Sequence, residues 1–297
     1  MNKFKKYFLT RFNILLGKSL IIESVIIETT GACTNRCYMC LGRSGIKKRK
    51  YIPDDIFEKV INRLSDFNYS GQIYFFGQNE PILDKNIFER LNYASKKLPN
   101  ARIIFISNFT FLNDEVIKKL LDAPISRLTN SIYALDSTSY QKICGRDNFN
   151  SAVTNLINFS KEWAKKKPYD FTIYCIKSEY NKHDIDFIEY LLDKFPCSAG
   201  VQTYMLNTRN IIKRSNNPWF FSPFLYSTIK ITGDGDMPIC SFDPDSKLLV
   251  GNIINDNLKE AINNNIAIKI RNDIFYGRTD IGNEFCNVFD SAQEHKM

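Results

Sequence analysis

The sequence predicts an α/β chain, a partial (β/α)6 TIM-like barrel with a small C-terminal β-hairpin plus helix extension, on three observations. Six short β-rich runs recur, at residues 21–28, 72–77, 102–107, 128–133, 171–176 and 201–206. Helical apolar stripes separate them, the alternation expected of parallel β/α units whose functional loops follow the carboxyl ends of the strands. The interval after the first run is much the longest, and it holds three of the eight cysteines.

Taken in order, residues 1–20 form a basic amphipathic segment in which Phe4, Phe8, Phe12 and Leu15 share a helical face and Lys5, Lys6 and Arg11 lie off it. Packing on the body of the protein is the expected role, with membrane-surface contact through residues 1–18 as the alternative. Arg11 and Lys18 interrupt the apolar pattern and no small-residue cleavage site follows, so the segment does not read as a signal peptide. No apolar run approaches the roughly 18–20 residues that cross a bilayer, and a cytoplasmic, reducing location is expected.

Ile56, Val60, Leu64 and Phe67 give the first helical stripe, and Ile87, Leu91, Ala94 and Leu98 the second. Val116, Ile117, Leu120 and Leu121 follow Asn113, a candidate N-cap. Phe149, Ala152, Val153, Leu156 and Ile157 make the fourth stripe, and Ile185, Ile188, Leu191, Leu192 and Phe195 the fifth. Beyond residue 206 the rhythm breaks at Pro218 and Pro223. YSTIKIT, the turn GDGD at 233–236 and KLLVGNI then read as a β-hairpin, followed by a helix over 256–270. The expected division is 1–20, a core over 21–220 and an extension over 221–297.

A chain of 297 residues that is 44% apolar and 24% charged is globular, which excludes disordered and fibrous classes. Eight cysteines are too dilute for a disulfide scaffold, so their positions matter more than their number. Directly after the first strand stands CTNRCYMC, with Cys33, Cys37 and Cys40 in C-x3-C-x2-C spacing. A structural zinc site closes with four ligands, commonly from two paired knuckles, and no second C-x2-C exists here. Three thiolates on one loop match instead a [4Fe-4S] cluster in which one iron lacks a protein ligand. An open iron binds and reduces a substrate, whereas an electron carrier normally completes its cluster with a fourth cysteine.

On these residues the sequence resembles the radical S-adenosylmethionine (radical SAM) superfamily over residues 21 to about 206. The resemblance implies a [4Fe-4S] cluster on Cys33, Cys37 and Cys40, with S-adenosylmethionine (SAM) chelated at the open iron. One-electron cleavage then yields a 5′-deoxyadenosyl radical that abstracts a substrate hydrogen. FFGQNEPIL is similar to the family's G-x-G-E-P loop, which hydrogen-bonds the methionine amino group; Gly77, Glu80 and Pro81 match, and Asn79 replaces a glycine. ISNFTFLN resembles the ribose-contacting segment, which implies Ser107 and Asn108 near the sugar, with Phe109 where glycine is usual. Ser131 and Arg146 lie where the family contacts the methionine carboxylate or the ribose, and Met39 stands at a position that packs near the adenine.

The segment from Thr232 to Ile253, with Arg271 and Cys286 after it, resembles the SPASM/twitch extension, in which further cysteines bind an auxiliary cluster. Only Cys240 and Cys286 match; Asp256 stands where a cysteine would follow the G-N-I turn. Loss of the auxiliary site, with the hairpin kept as a lid, is the expectation. Cys144, Cys175 and Cys197 read as buried packing, although Cys175 alternates with Ile173 on its strand and a barrel-facing position there would suit a hydrogen donor. His183 and His295 read as solvated surface residues.

Residues 1–50 carry eleven Lys and Arg against two acids, more than the whole +8 of the chain. Six of these (Arg36, Arg43, Lys47, Lys48, Arg49 and Lys50) lie in or just past the cysteine loop, which suits docking of an acidic low-potential donor such as flavodoxin or ferredoxin. No RNA-binding motif accompanies the charge, so nucleic acid is not the expected partner. The expected activity is hydrogen abstraction from a carbohydrate or aminocyclitol-type small molecule. Epimerisation or cross-linking of a ribosomally made peptide is the alternative, and a non-catalytic iron–sulfur or zinc-binding scaffold is the alternative of another class.

Overall fold

The computed structural model describes residues 16, 21–40, 51–176, 179–181, 202–204, 227–240, 243, 246 and 248–275. Among the described residues seven strands form one all-parallel sheet in the order β6-β5-β4-β3-β2-β1-β7. They are β1 (Ser24–Ile27), β2 (Gln72–Phe75), β3 (Arg102–Ser107), β4 (Arg127–Ser131), β5 (Asp170–Ile176), β6 (Gln202–Tyr204) and β7 (Thr228–Ile231). Helices α1 (Asp54–Asp66), α2 (Ile87–Lys97), α3 (Asp114–Asp122), α4 (Ser137–Cys144) and α5 (Phe149–Lys166) fill the crossovers between β1 and β5.

Strand side chains alternate between two faces, and register assigns each to its side. Val25, Ile27, Ile73, Phe75, Ile103, Phe105, Leu128, Phe171 and Ile173 share one face and pack in a single core with the helices. Each such side chain taken fully out of water contributes about 1.5–3 kcal/mol. The opposite face, away from the helices, carries Tyr74, Thr129, Ser131, Thr172 and Tyr174, all only partly buried. Cys175 therefore lies on the helix side, buried with Ile173 and accepting a hydrogen bond from Asn181 Nδ2 at 3.6 Å; the barrel-facing position is corrected.

Three further expectations change. The first helical stripe is rotated: Phe57, Val60, Ile61 and Leu64 are buried on α1, while Phe67 is exposed beyond its end. A short helix, α4, stands between β4 and α5, capped by Asp136, whose Oδ1 accepts from Ser139 N at 2.8 Å, and stopped by Gly145 at φ 66°. The run YSTIKIT is not an arm of the hairpin. It is β7, paired in parallel with β1 from Ser24↔Thr228 to Ile27↔Ile231.

The hairpin is β8 (Asp236–Pro238) with β9 (Leu249–Asn252), antiparallel, followed by α6 (Leu258–Ala261) and α7 (Asn265–Phe275). Asn252 Nδ2 holds the 233–236 turn that leads from β7 into β8, through Asp234 O and Asp236 Oδ1, both at 2.9 Å. Asp256, at the position where the resemblance implies a thiol, accepts from Asn252 N at 2.7 Å and so closes the turn by hydrogen bonding. Asn113 caps α3 as expected, accepting from Val116 N at 2.9 Å. The fifth stripe, Cys197, Cys286, His183, His295 and the basic positions 43–50 lie outside the described residues. Among the described residues no helix is long and apolar enough to cross a membrane.

Candidate active site

The cysteine loop leaves the carboxyl end of β1 and is fastened at both ends. Its base is closed by the Thr30–Tyr51 bridge and by Ile52 N donating to Thr29 O at 2.9 Å. Behind it, the buried Arg90 pairs with Asp84 at 2.7 Å and donates to Ile52 O at 2.7 Å and Thr29 O at 3.5 Å, holding both strands of that closure.

The far side of the loop rests on α4. A helix leaves its last carbonyls without intrahelical partners, and here loop amides supply them: Arg36 N donates to Cys144 O at 2.8 Å and Tyr38 N to Ile143 O at 2.9 Å. Gly145 is required at this contact, because it adopts a left-handed φ and a Cβ would lie 2.5 Å from Arg36 O. Asn148 Nδ2 adds bonds to Thr34 O at 3.3 Å and Asn35 Oδ1 at 3.1 Å, and Asn35 Nδ2 donates to the Tyr140 hydroxyl at 3.1 Å.

Three of the residues singled out from sequence converge here. Asn108, just past β3, donates through Nδ2 to Thr34 Oγ1 at 3.1 Å and lies 3.8 Å from Cys33 Sγ. Thr110 meets both Thr34 and Asn108 through its hydroxyl. Glu80 is 2% exposed and turned inward: Oε2 accepts from Asn108 N at 2.7 Å, Oε1 from Ile82 N at 3.3 Å, and its own N–H donates to Ala32 O at 2.8 Å. Through its backbone N–H and its carboxyl Glu80 thus stitches the loops after β1, β2 and β3 together, and burial raises the carboxyl to about 7. Ser107, buried, supports the same carboxylate and accepts from Phe109 N at 3.1 Å. Phe109 holds φ 59° and is wholly buried, stacked on Phe171 and tilted against Phe159.

The other residues lie around this junction. Gly77 presses on Glu28, whose Oε1 a Cβ at 77 would meet at 2.2 Å. Met39 packs half-buried at the edge of the core, Ser131 lies on the sheet face away from the helices, and Arg146 is exposed just past α4. Sequence reasoning missed Thr34, Asn148, Tyr174 and the buried Lys230; an Asn or Thr beside a motif residue gives no signal until its partner is known.

Among the described residues no three Cys, His, Asp or Glu side chains converge as a metal site. Cys33, Cys37 and Cys40 nevertheless feel one another. Loss of hydration on burial pushes the Cys33 thiol up to about 12, opposed by the Asn35 N–H at 3.4 Å and reinforced by Glu80, Cys37 and Cys40. The raised Cys33 thiol keeps its proton until a cation displaces it to solvent, since a coordinating thiol is deprotonated outright. The donor chemistry therefore fits an iron–sulfur cluster.

The family model described as the radical SAM superfamily matches residues 27–191, more than half of the chain. The chain belongs to the radical SAM superfamily. It is accordingly an enzyme, with a [4Fe-4S] cluster and SAM as its cofactors. Among curated proteins, it is 24% identical over 110 residues to an S-adenosyl-L-methionine-dependent 2-deoxy-scyllo-inosamine dehydrogenase of Niallia circulans, covering 36% of this chain and 43% of that protein. It is 23% identical over 177 residues to a tungsten-containing aldehyde ferredoxin oxidoreductase cofactor-modifying protein of Pyrococcus furiosus, covering 58% of this chain and 49% of that one. The chain spans about half the length of these relatives. Among solved structures, BtrN in complex with AdoMet and 2-DOIA matches with a TM-score of 0.58 at 15% identity, over 88% of this chain and 89% of that one. SuiB of Streptococcus suis bound to S-adenosylmethionine matches with a TM-score of 0.64 at 14% identity, over 88% and 70%. At these identities the structures support the fold alone.

Proposed function

We propose that this radical SAM enzyme holds its cluster through Cys33, Cys37 and Cys40 and abstracts hydrogen from a hydroxylated small molecule of carbohydrate or aminocyclitol type. The observation that carries the reading is the junction at the carboxyl ends of β1, β2 and β3, where the cysteine loop, Glu80 and Asn108 are hydrogen-bonded into one unit. When bound, the cluster supplies the electron that cleaves SAM to methionine and the 5′-deoxyadenosyl radical.

The chain's own residues then bind and orient. The Gly77–Glu80 loop serves the methionine end through the Asn79 side-chain amide, whose atoms lack a partner among the described residues, with Glu80 fixing the loop rather than reaching the ligand. The exposed Arg146 guanidinium offers a forked donor for the methionine carboxylate. Asn108 and Ser131 serve the ribose, and Met39 packs at the adenine. The Thr129, Thr172 and Tyr174 hydroxyls on the open sheet face supply donors and acceptors suited to a polyol and hold it away from bulk water. A low-potential flavodoxin or ferredoxin docks on the basic loop beside the cluster.

The substrate class is tested by incubating reconstituted enzyme with SAM, dithionite and a perdeuterated aminocyclitol, with a synthetic peptide library in parallel. Deuterium is expected in 5′-deoxyadenosine from the aminocyclitol; deuterium arriving only from labelled peptide would sink the small-molecule reading.

A further inference from the structure

The C-terminal strand reaches the cofactor loop through a buried ion pair. Register places Lys230 of β7 opposite Ile26 of β1, on the sheet face away from the helices, and Glu28 follows two residues later on that same face. Lys230 Nζ lies 3.5 Å from Glu28 Oε1, with the two side chains 1% and 5% exposed. Removing two charges from water costs more than their attraction commonly returns, so stability alone gives little reason for an ion pair where two apolar residues would serve. The same Glu28 oxygen accepts from Gln78 N at 2.9 Å, and the carboxylate fills the space where Gly77 lacks a Cβ.

The chain of contacts continues in both directions. Past Gln78 come Asn79, whose two amide atoms are buried without a hydrogen-bond partner, and Glu80, bonded to the cysteine loop and to Asn108. A buried amide left unpaired in the protein suits a loop that completes its bonding with a ligand. On the other side, Lys230 Nζ donates to Asp243 O at 3.3 Å, and Asp243 Oδ2 accepts from Leu248 N at 3.0 Å, which draws in the connection between β8 and β9.

We propose that Lys230 is a positioning residue: by neutralising and anchoring Glu28 it sets the Gly77–Glu80 loop for SAM, so that the C-terminal extension tunes cofactor affinity from 150 positions beyond Glu80 along the chain. The inference rests on the assignment of that loop to SAM made above. Without Lys230 the buried Glu28 carboxylate loses its lysine counter-charge; it shifts toward solvent and loosens its hold on Gln78 N–H. A neutral glutamine at 28 has no such drive and keeps an oxygen for the same amide.

The test is equilibrium dialysis of labelled SAM against reconstituted protein without reductant, where no turnover occurs, at a temperature well below each variant's melting point. Lys230→Met is expected to raise the Kd about tenfold, equivalent to about 1.4 kcal/mol, and adding Glu28→Gln to return it to within about twofold of the parent. An unchanged Kd in Lys230→Met, or a raised Kd that Glu28→Gln leaves in place, overturns the proposal, since a merely structural pair moves the melting point alone. If Lys230→Met does not fold, the double variant decides: near-parental binding supports the proposal and a tenfold weakening overturns it. Asn79→Leu separates the two readings. Weakened binding in Asn79→Leu beside an unchanged Lys230→Met defeats only the role of Lys230, whereas parental binding in both defeats the assignment of the loop.

Discussion

Replacing Arg90 by Met probes what holds the base of the cysteine loop. The guanidinium makes two ion pairs that differ greatly in weight. Its 2.6 Å contact with Asp54 joins a carboxylate that is 64% exposed, where water and salt screen the charge and the pair is worth about 0.2–1 kcal/mol. Its 2.7 Å contact with Asp84 joins a side chain 1% exposed, whose carboxyl is already raised by burial despite the arginine. Removing Arg90 leaves that carboxylate buried and unpaired, a loss of about 3–5 kcal/mol, against a total of about 5–15 kcal/mol for a typical domain. Adding Asp84→Asn keeps an acceptor for Asn86 N, 3.1 Å away, and removes the charge, so it is expected to recover about half the loss or more. Urea denaturation of the single and double variants measures both terms, and iron content after reconstitution follows the loop, since Thr29 and Ile52 flank the cysteines and both lose a donor. A single variant within about 1 kcal/mol of the parent, or a double variant no more stable than the single, would refute the reasoning.

Three further outcomes follow from the same geometry. Glu80 has its carboxyl raised from 4.5 to about 7, so the stability it contributes is complete below pH 4.5 and is lost as pH rises through about 7; Glu80→Gln does not titrate, and the stability difference between variant and parent should climb by about 3 kcal/mol between pH 4.5 and 8. A flat difference curve would show that the carboxyl is not enclosed as described. Phe109→Gly relieves a left-handed backbone at φ 59° but empties a site packed on Phe159 and Phe171, and a net loss of about 2–4 kcal/mol is expected in denaturant unfolding, not a gain. Reduction of the cluster by flavodoxin should slow steeply between low and high ionic strength if the basic residues around Arg36 and 43–50 guide docking; indifference to salt would remove that role.

What the sequence made legible was local. The run RIIFIS coincides with β3 at residues 102–107, because its flanking turns bound it tightly, and Asn113 announced the start of α3 by its own side chain. Helix α4 escaped notice because STSYQKIC buries only Tyr140, Ile143 and Cys144, too few for a stripe, although Asp136 and Gly145 mark its two ends. The partner of β7 was hidden for a different reason. GDGD does form a tight turn, with Gly235 N bonded to Thr232 O at 3.0 Å, but pairing of 228–231 with a strand some 200 residues earlier is decided by the whole sheet. Lys230 stood in plain view as a charge inside an apolar strand, and only the register with β1 brings Glu28 to it. Glu80 was recognised by its motif, yet its inward turn depends on Asn108, which no local pattern encodes.

The central claim, that the loop of Cys33, Cys37 and Cys40 makes this chain a SAM-cleaving enzyme, is tested most directly by anaerobic reconstitution followed by SAM and dithionite, with 5′-deoxyadenosine measured. Release by the parent, and its loss when any one of the three cysteines is replaced by alanine, is the predicted result. No 5′-deoxyadenosine from an iron-loaded parent, or undiminished release from the triple alanine variant, would contradict it.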